Sequence, residues 1–208
     1  MAFSPHHAAT DCIGRANALL AGASNAANAP VADDLRRVSI VMGVAALDTY
    51  MHRLIVERAY RHQTLPGRLA RLDFSFQYAL DQADAAGDAA RAQPYNSRPR
   101  VPLKRVLRDR LLRETFQRYD DVSNALGMAG LSGNWGPIGQ ALVPPLQPVE
   151  IERRLNAIVD RRNQIAHEGD YSRLDRPQTA RTNTITQHEA ADDIAFLASL
   201  IDAIHSVA

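Results

Sequence analysis

A chain of 208 residues, 46% of them hydrophobic, can build one helical core, with or without a small appendage, and its formal charge of +1 leaves no global field to draw it onto nucleic acid or a membrane. Its single cysteine, Cys12, excludes an intramolecular disulfide and suits a reducing, cytoplasmic setting. No secretory signal is expected, and the longest uncharged apolar run, Val38 to Leu47, is far shorter than a membrane-spanning helix.

Helical signals follow one another along the chain. A short helix is expected near His6 to Ala21, then a small-residue link from Ala23 to Pro30. A long helix starts near Asp33 and Asp34, two acids well placed against the helix dipole, and runs to about His62, before the break at Pro66-Gly67. A third helix covers about 68–90, a loop 93–102, and a fourth helix about 103–125. Residues 126–148 hold five glycines and four prolines and read as a long irregular connection. A helix over about 149–168, a loop over 169–184 and a last helix complete the order. Thr186 and Glu189 form a capping box for that last helix, and Ile194, Leu197, Ile201 and Ile204 give it a buried stripe. The expectation is an all-α bundle in one domain over 1–208. Its core is drawn from about 31–92 and 149–208, and 93–148 supply a basic helix and a Gly/Pro-rich loop.

Two features break the ordinary amphipathic pattern. On a helix wheel of about 100° per residue, Ile151, Leu155, Ile158, Arg162 and Ile165 share one stripe, so an arginine stands in a face that should be buried. That placement is costly unless the charge is paired or lines a polar cleft. Asn163 lies beside the stripe, His167 projects near Asn163 one turn later, and Gly169 ends the helix. The second feature is the segment from Ser39 to Met51, apolar around nearly its whole circumference and carrying one charge, Asp48. Either Asp48 meets and orients Arg162, or it caps a neighbouring helix or faces a polar seam.

The string Arg162-Asn163-Gln164-Ile165-Ala166-His167 resembles the arginine, four-to-six residues, histidine signature of HEPN domains. With the flanking Glu168-Gly169-Asp170 and the upstream Ala45-to-His52 segment, it is similar to the RiboL-PSP-HEPN branch from about residue 35 onward. The resemblance implies an antiparallel helical bundle that dimerises, with two copies of the motif facing each other across the two-fold axis. It implies a metal-independent endoribonuclease of the toxin–antitoxin, phage-defence or RNA-processing kind, or a relative that binds RNA, nucleotide or protein without catalysis. By position, Arg162 and His167 are the catalytic pair and Asn163 assists them. No metal and no cofactor are implied, and the partners would be RNA, a second copy and an antitoxin or other protein.

The residue types suit that chemistry. RNA brings its own nucleophile, the 2′-hydroxyl. Histidine titrates near neutrality and can move the proton, while the arginine fork binds two phosphate oxygens and stays charged. His167 also sits in the last helical turn, where the dipole, with Glu168 and Asp170 nearby, favours its cationic form. The competing reading is structural, with Arg162 tying helices together through Asp48 and His167 capping the helix end.

Elsewhere, 23 of the 24 basic residues are arginine, and Lys104 is the exception, which suits a GC-rich codon bias. Residues 98–118 form the one local basic concentration. Arg98, Arg100, Lys104, Arg105 and Arg108 are candidates for the RNA backbone, against a solvated face with internal pairs such as Arg110 to Glu114. Trp135, the only tryptophan, either stacks on a base or, as preferred here, pins its loop to the core. His188 and Asp192 have helical i,i+4 spacing, but the His-Glu-x-x-His zinc pattern is absent, His6-His7 is isolated, and no nucleotide loop or serine elbow occurs.

Overall fold

The computed structural model describes residues 4–59, 67–70, 100–172 and 181–208. The described residues form eight helices: α1 (Pro5–Ser24), α2 (Ala29–Arg58), α3 (Gly67–Ala70), α4 (Arg100–Leu111), α5 (Tyr119–Met128), α6 (Trp135–Ala141), α7 (Pro148–Glu168) and α8 (Gln187–Val207). Among them there is no strand, only an isolated antiparallel bridge between Tyr171 and Thr182. The expected third helix lies outside the described residues except for α3.

Local chemistry explains the helix ends. The Ser4 hydroxyl caps α1 by accepting from the His7 amide at 3.1 Å. The Asn28 side chain caps α2 by accepting from the Val31 amide at 3.1 Å, and a proline follows in the first turn. So α2 begins four residues before the expected Asp33. The two acids lie inside the helix and pair one turn on, Asp33 with Arg36 at 2.6 Å and Asp34 with Arg37 at 3.1 Å. The capping box on α8 forms as expected: the Glu189 amide donates to Thr186 Oγ1 and the Thr186 amide donates to Glu189 Oε2. Gly169, at φ 62°, closes α7 as expected.

α2 is the central rod, packed by α1, α8, α7, α5 and α4. Ile40, Val44, Leu47, Tyr50, Met51 and Ile55 are buried around it, which accounts for the nearly all-apolar circumference of its middle, Ser39 to Met51. By length and composition α2 could cross a membrane, contrary to the expectation that no segment comes near that, yet 56% of its most apolar window is buried inside the bundle. α1 folds back on α2, and α8 runs parallel to α2: Arg36 meets Gln187, Gly43 meets Ile194 and Leu197, and Tyr50 meets His205. The four expected stripe residues of α8, Ile194, Leu197, Ile201 and Ile204, are all buried.

Three expectations fail in instructive ways. The core is wider than 31–92 and 149–208, because Ala9, Cys12, Ala16 and Leu20 of α1 and Val122, Leu126 and Ile138 of α5 and α6 join the same cluster. The single helix expected over 103–125 is two, broken at 112–118, where buried Phe116 donates its amide to Asp48 Oδ1 at 2.6 Å. A tertiary bond thus overrides helix propensity. The irregular stretch 126–148 contains α6, held close by Gly139. The Leu146 amide donates to the Gly139 carbonyl at 3.0 Å, and a Cβ at position 139 would overlap the Leu146 carbonyl oxygen.

Candidate active site

α7 carries the motif. Its stripe of Ile151, Leu155 and Ile158 is buried as expected, and Val159 joins it. Arg162 follows on that stripe but is only half-buried, as are Asn163 and Ile165. The Arg162 guanidinium donates from NH1 to Asn163 Oδ1 at 2.9 Å. Its Nε is buried and has no hydrogen-bond partner among the described residues. His167 is exposed, four residues after Asn163, so the two share one face of the helix. The fold therefore presents an arginine whose donors are only partly used, an amide holding it, and an accessible imidazole, all within the last two turns of one rod.

Asp48 is not part of this group. It is half-buried, accepts from the Phe116 amide, and lies 3.6 Å from His52 Nε2. Burial lowers the His52 pKa, against the opposing pull of Asp48 and of Glu114. The alternative in which Asp48 serves a neighbouring segment is the one realised, and its expected role in orienting Arg162 is not. A carboxylate one side chain long on α2 reaches the backbone of 112–118 and so satisfies an amide that would otherwise be buried unpaired.

Arg98 and the side chains of Arg100 and Lys104 lie outside the described residues. Arg105 and Arg108 are exposed on α4, and among the described residues no hydrogen bond or ion pair joins them to Arg162, Asn163 or His167. The Arg110–Glu114 pair forms at 2.6 Å. Trp135 pins its segment as preferred: Nε1 donates to Ser123 Oγ at 2.6 Å, and its ring stacks on Tyr119 with centroids 4.2 Å apart.

What sequence reasoning missed is the buried polar knot behind the motif. Asp170, at 0% exposure and φ 61°, accepts from Arg37 Nε at 2.7 Å, Arg161 NH2 at 2.9 Å and Asn183 Nδ2 at 3.1 Å. Arg37 also donates to the Asn183 carbonyl, and Arg161 to the Thr184 carbonyl. Burial works to lower the Arg37 pKa, but the Asp170 hydrogen bond and charge, with Asp34, outweigh it and raise it. Asp170, expected to act on His167, is instead consumed inside the fold. Its one local signal is its place just after the helix-ending glycine; its main partner is 133 residues away.

A cavity of about 360 Å³ lies between α2, α7 and α8, lined by Ile40, Arg154, Arg161, Ile185, Asp192 and Asp193 among others. Arg154 and Arg161 project from α7 on the side away from Asn163 and His167, so this cavity is not the motif's own surface. Burial, with Asp192 and Glu189 nearby and only partial relief from Arg154 and Arg161, pushes the Asp193 carboxyl up to about 6.

The family model for RiboL-PSP-HEPN matches residues 101–208, just over half of the chain.

The chain belongs to the RiboL-PSP-HEPN family.

The matched span contains Arg162, Asn163 and His167, and the all-helical architecture agrees with a HEPN domain. It begins well after residue 35, so the Asp48-bearing part of α2 lies outside it. No curated protein and no solved structure matches the chain. Among the described residues no group of three His, Cys, Asp or Glu side chains is placed to hold a metal ion.

Proposed function

We propose that this HEPN protein is a metal-independent endoribonuclease, working as a homodimer in a reducing, cytoplasmic setting as a toxin or defence effector. The observation that carries the reading is the pairing of a half-buried Arg162, steadied by Asn163 and with its Nε uncommitted, with an exposed His167 on the same helix end. A purely structural arginine in a bundle would have its donors taken up by carbonyls or carboxylates, as those of Arg37 are.

In this reading Arg162 grips two non-bridging oxygens of the scissile phosphate. One protomer's His167 removes the 2′-hydroxyl proton as the 2′-oxygen bonds to phosphorus, and the partner's His167 protonates the departing 5′-oxygen. The products are a 2′,3′-cyclic phosphate and a 5′-hydroxyl. A two-fold axis supplies the two histidines that one chain lacks. Asp170 and its two arginines hold the end of α7 against α2 and so fix where His167 stands.

The test incubates purified protein with mixed RNA in EDTA and sizes the products. Cleavage that leaves cyclic-phosphate ends and vanishes in a folded His167→Ala variant is expected. Persistent cleavage by that variant removes His167 from the mechanism, loss of cleavage in EDTA removes the metal-free chemistry, and no cleavage by the unmodified dimer leaves a binding module.

A further inference from the structure

We propose that Arg118, Tyr119 and Trp135 form a binding site for one nucleotide of single-stranded RNA flanking the scissile phosphate, with Arg118 on the phosphate and the aromatic pair against the base. This deepens the ribonuclease reading and rests on it for the position of the cut. The starting observation is a polar stripe on α7 that the core does not use: Asn156, Asp160, Asn163 and His167 follow one another at helical spacing on one face. Two of these four are bonded to the start of α5. Asn156 Oδ1 accepts from the Tyr119 amide at 3.1 Å, and Asp160 accepts from the Arg118 guanidinium. Arg118 and Tyr119 are therefore tethered to the face that carries Asn163 and His167. From Asp160 to His167 the helix rises about 10 Å, a span that a short stretch of extended RNA covers.

The chemistry of the site is that of a nucleotide. Arg118 is a forked cation with a side chain 43% exposed, held in place by a carboxylate that is itself 63% exposed. Next to it in sequence, Tyr119 stacks on Trp135 with an interplanar angle of 18°, and both rings are only half-buried. The Trp135 Nε1 hydrogen bond to Ser123 fixes the plane of the indole without covering it. Rigid, part-exposed aromatic faces beside an exposed guanidinium are what sequence-tolerant single-strand binding uses. Acids qualify the arrangement: Asp160 pairs with Arg118 and must yield to a phosphate, Asp121 accepts from the Arg118 amide, and two more stand by Tyr119. Asp120 and Glu152 sit close enough to Tyr119 to help burial raise its hydroxyl pKa. Their charge keeps phosphate away from that edge, which leaves the phosphate to Arg118, and it favours a base that offers an amino group, such as adenine.

The protein carries its own reporter, because Trp135 is the only tryptophan in the chain. The probe is 2′-O-methyl hexaadenylate, which lacks the attacking hydroxyl and stays intact. Titrating it into the full-length protein should quench Trp135 emission saturably. Arg118→Gln should weaken binding several-fold and lower the slope of log affinity against log salt by about 1. That variant should stay folded, because an exposed ion pair contributes little to stability. Tyr119→Leu should weaken binding about 5- to 150-fold, the range of one lost base stack. Binding of an end-labelled probe with Trp135 emission unchanged overturns the proposal, and so does an Arg118→Gln variant with unaltered affinity and salt slope, or no binding at all. Cleavage of ordinary RNA is followed in parallel. Cleavage with a silent Trp135 sinks the nucleotide site and leaves the ribonuclease standing, whereas quenching without cleavage keeps the site and sinks the ribonuclease.

Discussion

Arg37 and Asp170 form an ion pair at 2.7 Å across 133 residues, with side chains 8% and 0% exposed. It joins the first turns of α2 to the residue just beyond α7, and with Arg161 and Asn183 it closes a polar knot directly behind the motif. Breaking a buried pair by removing one partner strands the other charge, which typically costs about 3–5 kcal/mol. Asp170→Asn keeps a residue that tolerates a positive φ and should lower stability by about that amount. Asp170→Val should cost more, since a β-branched residue at φ 61° adds backbone strain. Urea denaturation of the three proteins checks the order, and an Asp170→Asn variant as stable as the parent would remove the knot as a stabilising element.

His167→Ala and Arg162→Ala should separate activity from stability. His167 is exposed, and among the described residues Arg162 has one hydrogen bond, to its neighbour Asn163. Replacing His167 should leave the melting temperature nearly unchanged while RNA cleavage falls about a hundred- to ten-thousand-fold, the usual contribution of a positioned acid or base. Calorimetry alongside product gels reads both effects. A large drop in melting temperature for His167→Ala would turn the residue into a structural cap.

Asp48→Ala should do the opposite. The Phe116 amide loses its acceptor and is left in a partly buried setting, at a cost of about 1–3 kcal/mol. The cleavage rate of the folded fraction should hold, because Asp48 does not touch Arg162. A rate loss well beyond the loss of folded protein would reinstate Asp48 in the site.

Asp193 gives a pH dependence with a defined sign. Burial raises its carboxyl in the folded state to about 6 from an ordinary 3.8. The folded protein therefore holds this proton more tightly than the unfolded chain. The associated stability is fully present below about pH 4 and is lost as pH rises through about 6. Asp193→Asn removes the charge and should stabilise the protein at pH 7 by on the order of 1 kcal/mol, after allowance for the solvent that reaches this half-buried side chain. Denaturation at pH 7 and pH 5 should show the advantage shrinking at the lower pH. An advantage that grows there contradicts the assignment.

Much of this molecule could be read from local chemistry. The α7 stripe, the capping box of α8, the Gly169 stop, the apolar girth of α2 and the motif face of Asn163 and His167 each depend on residues a few positions apart. Helical periodicity and capping act over that range, so a one-dimensional string records them. Folding alone decided which polar group meets which. Asp48 went to the Phe116 amide rather than to Arg162, and that bond, with the Tyr119 amide bonded to Asn156, lies where an expected single helix is instead α4 and α5. Asp170 turned inward to two arginines, although nothing in its neighbourhood announces a buried charge. One polar side chain has no period, and its partner is chosen by which backbones pack within hydrogen-bond reach once the apolar stripes have closed.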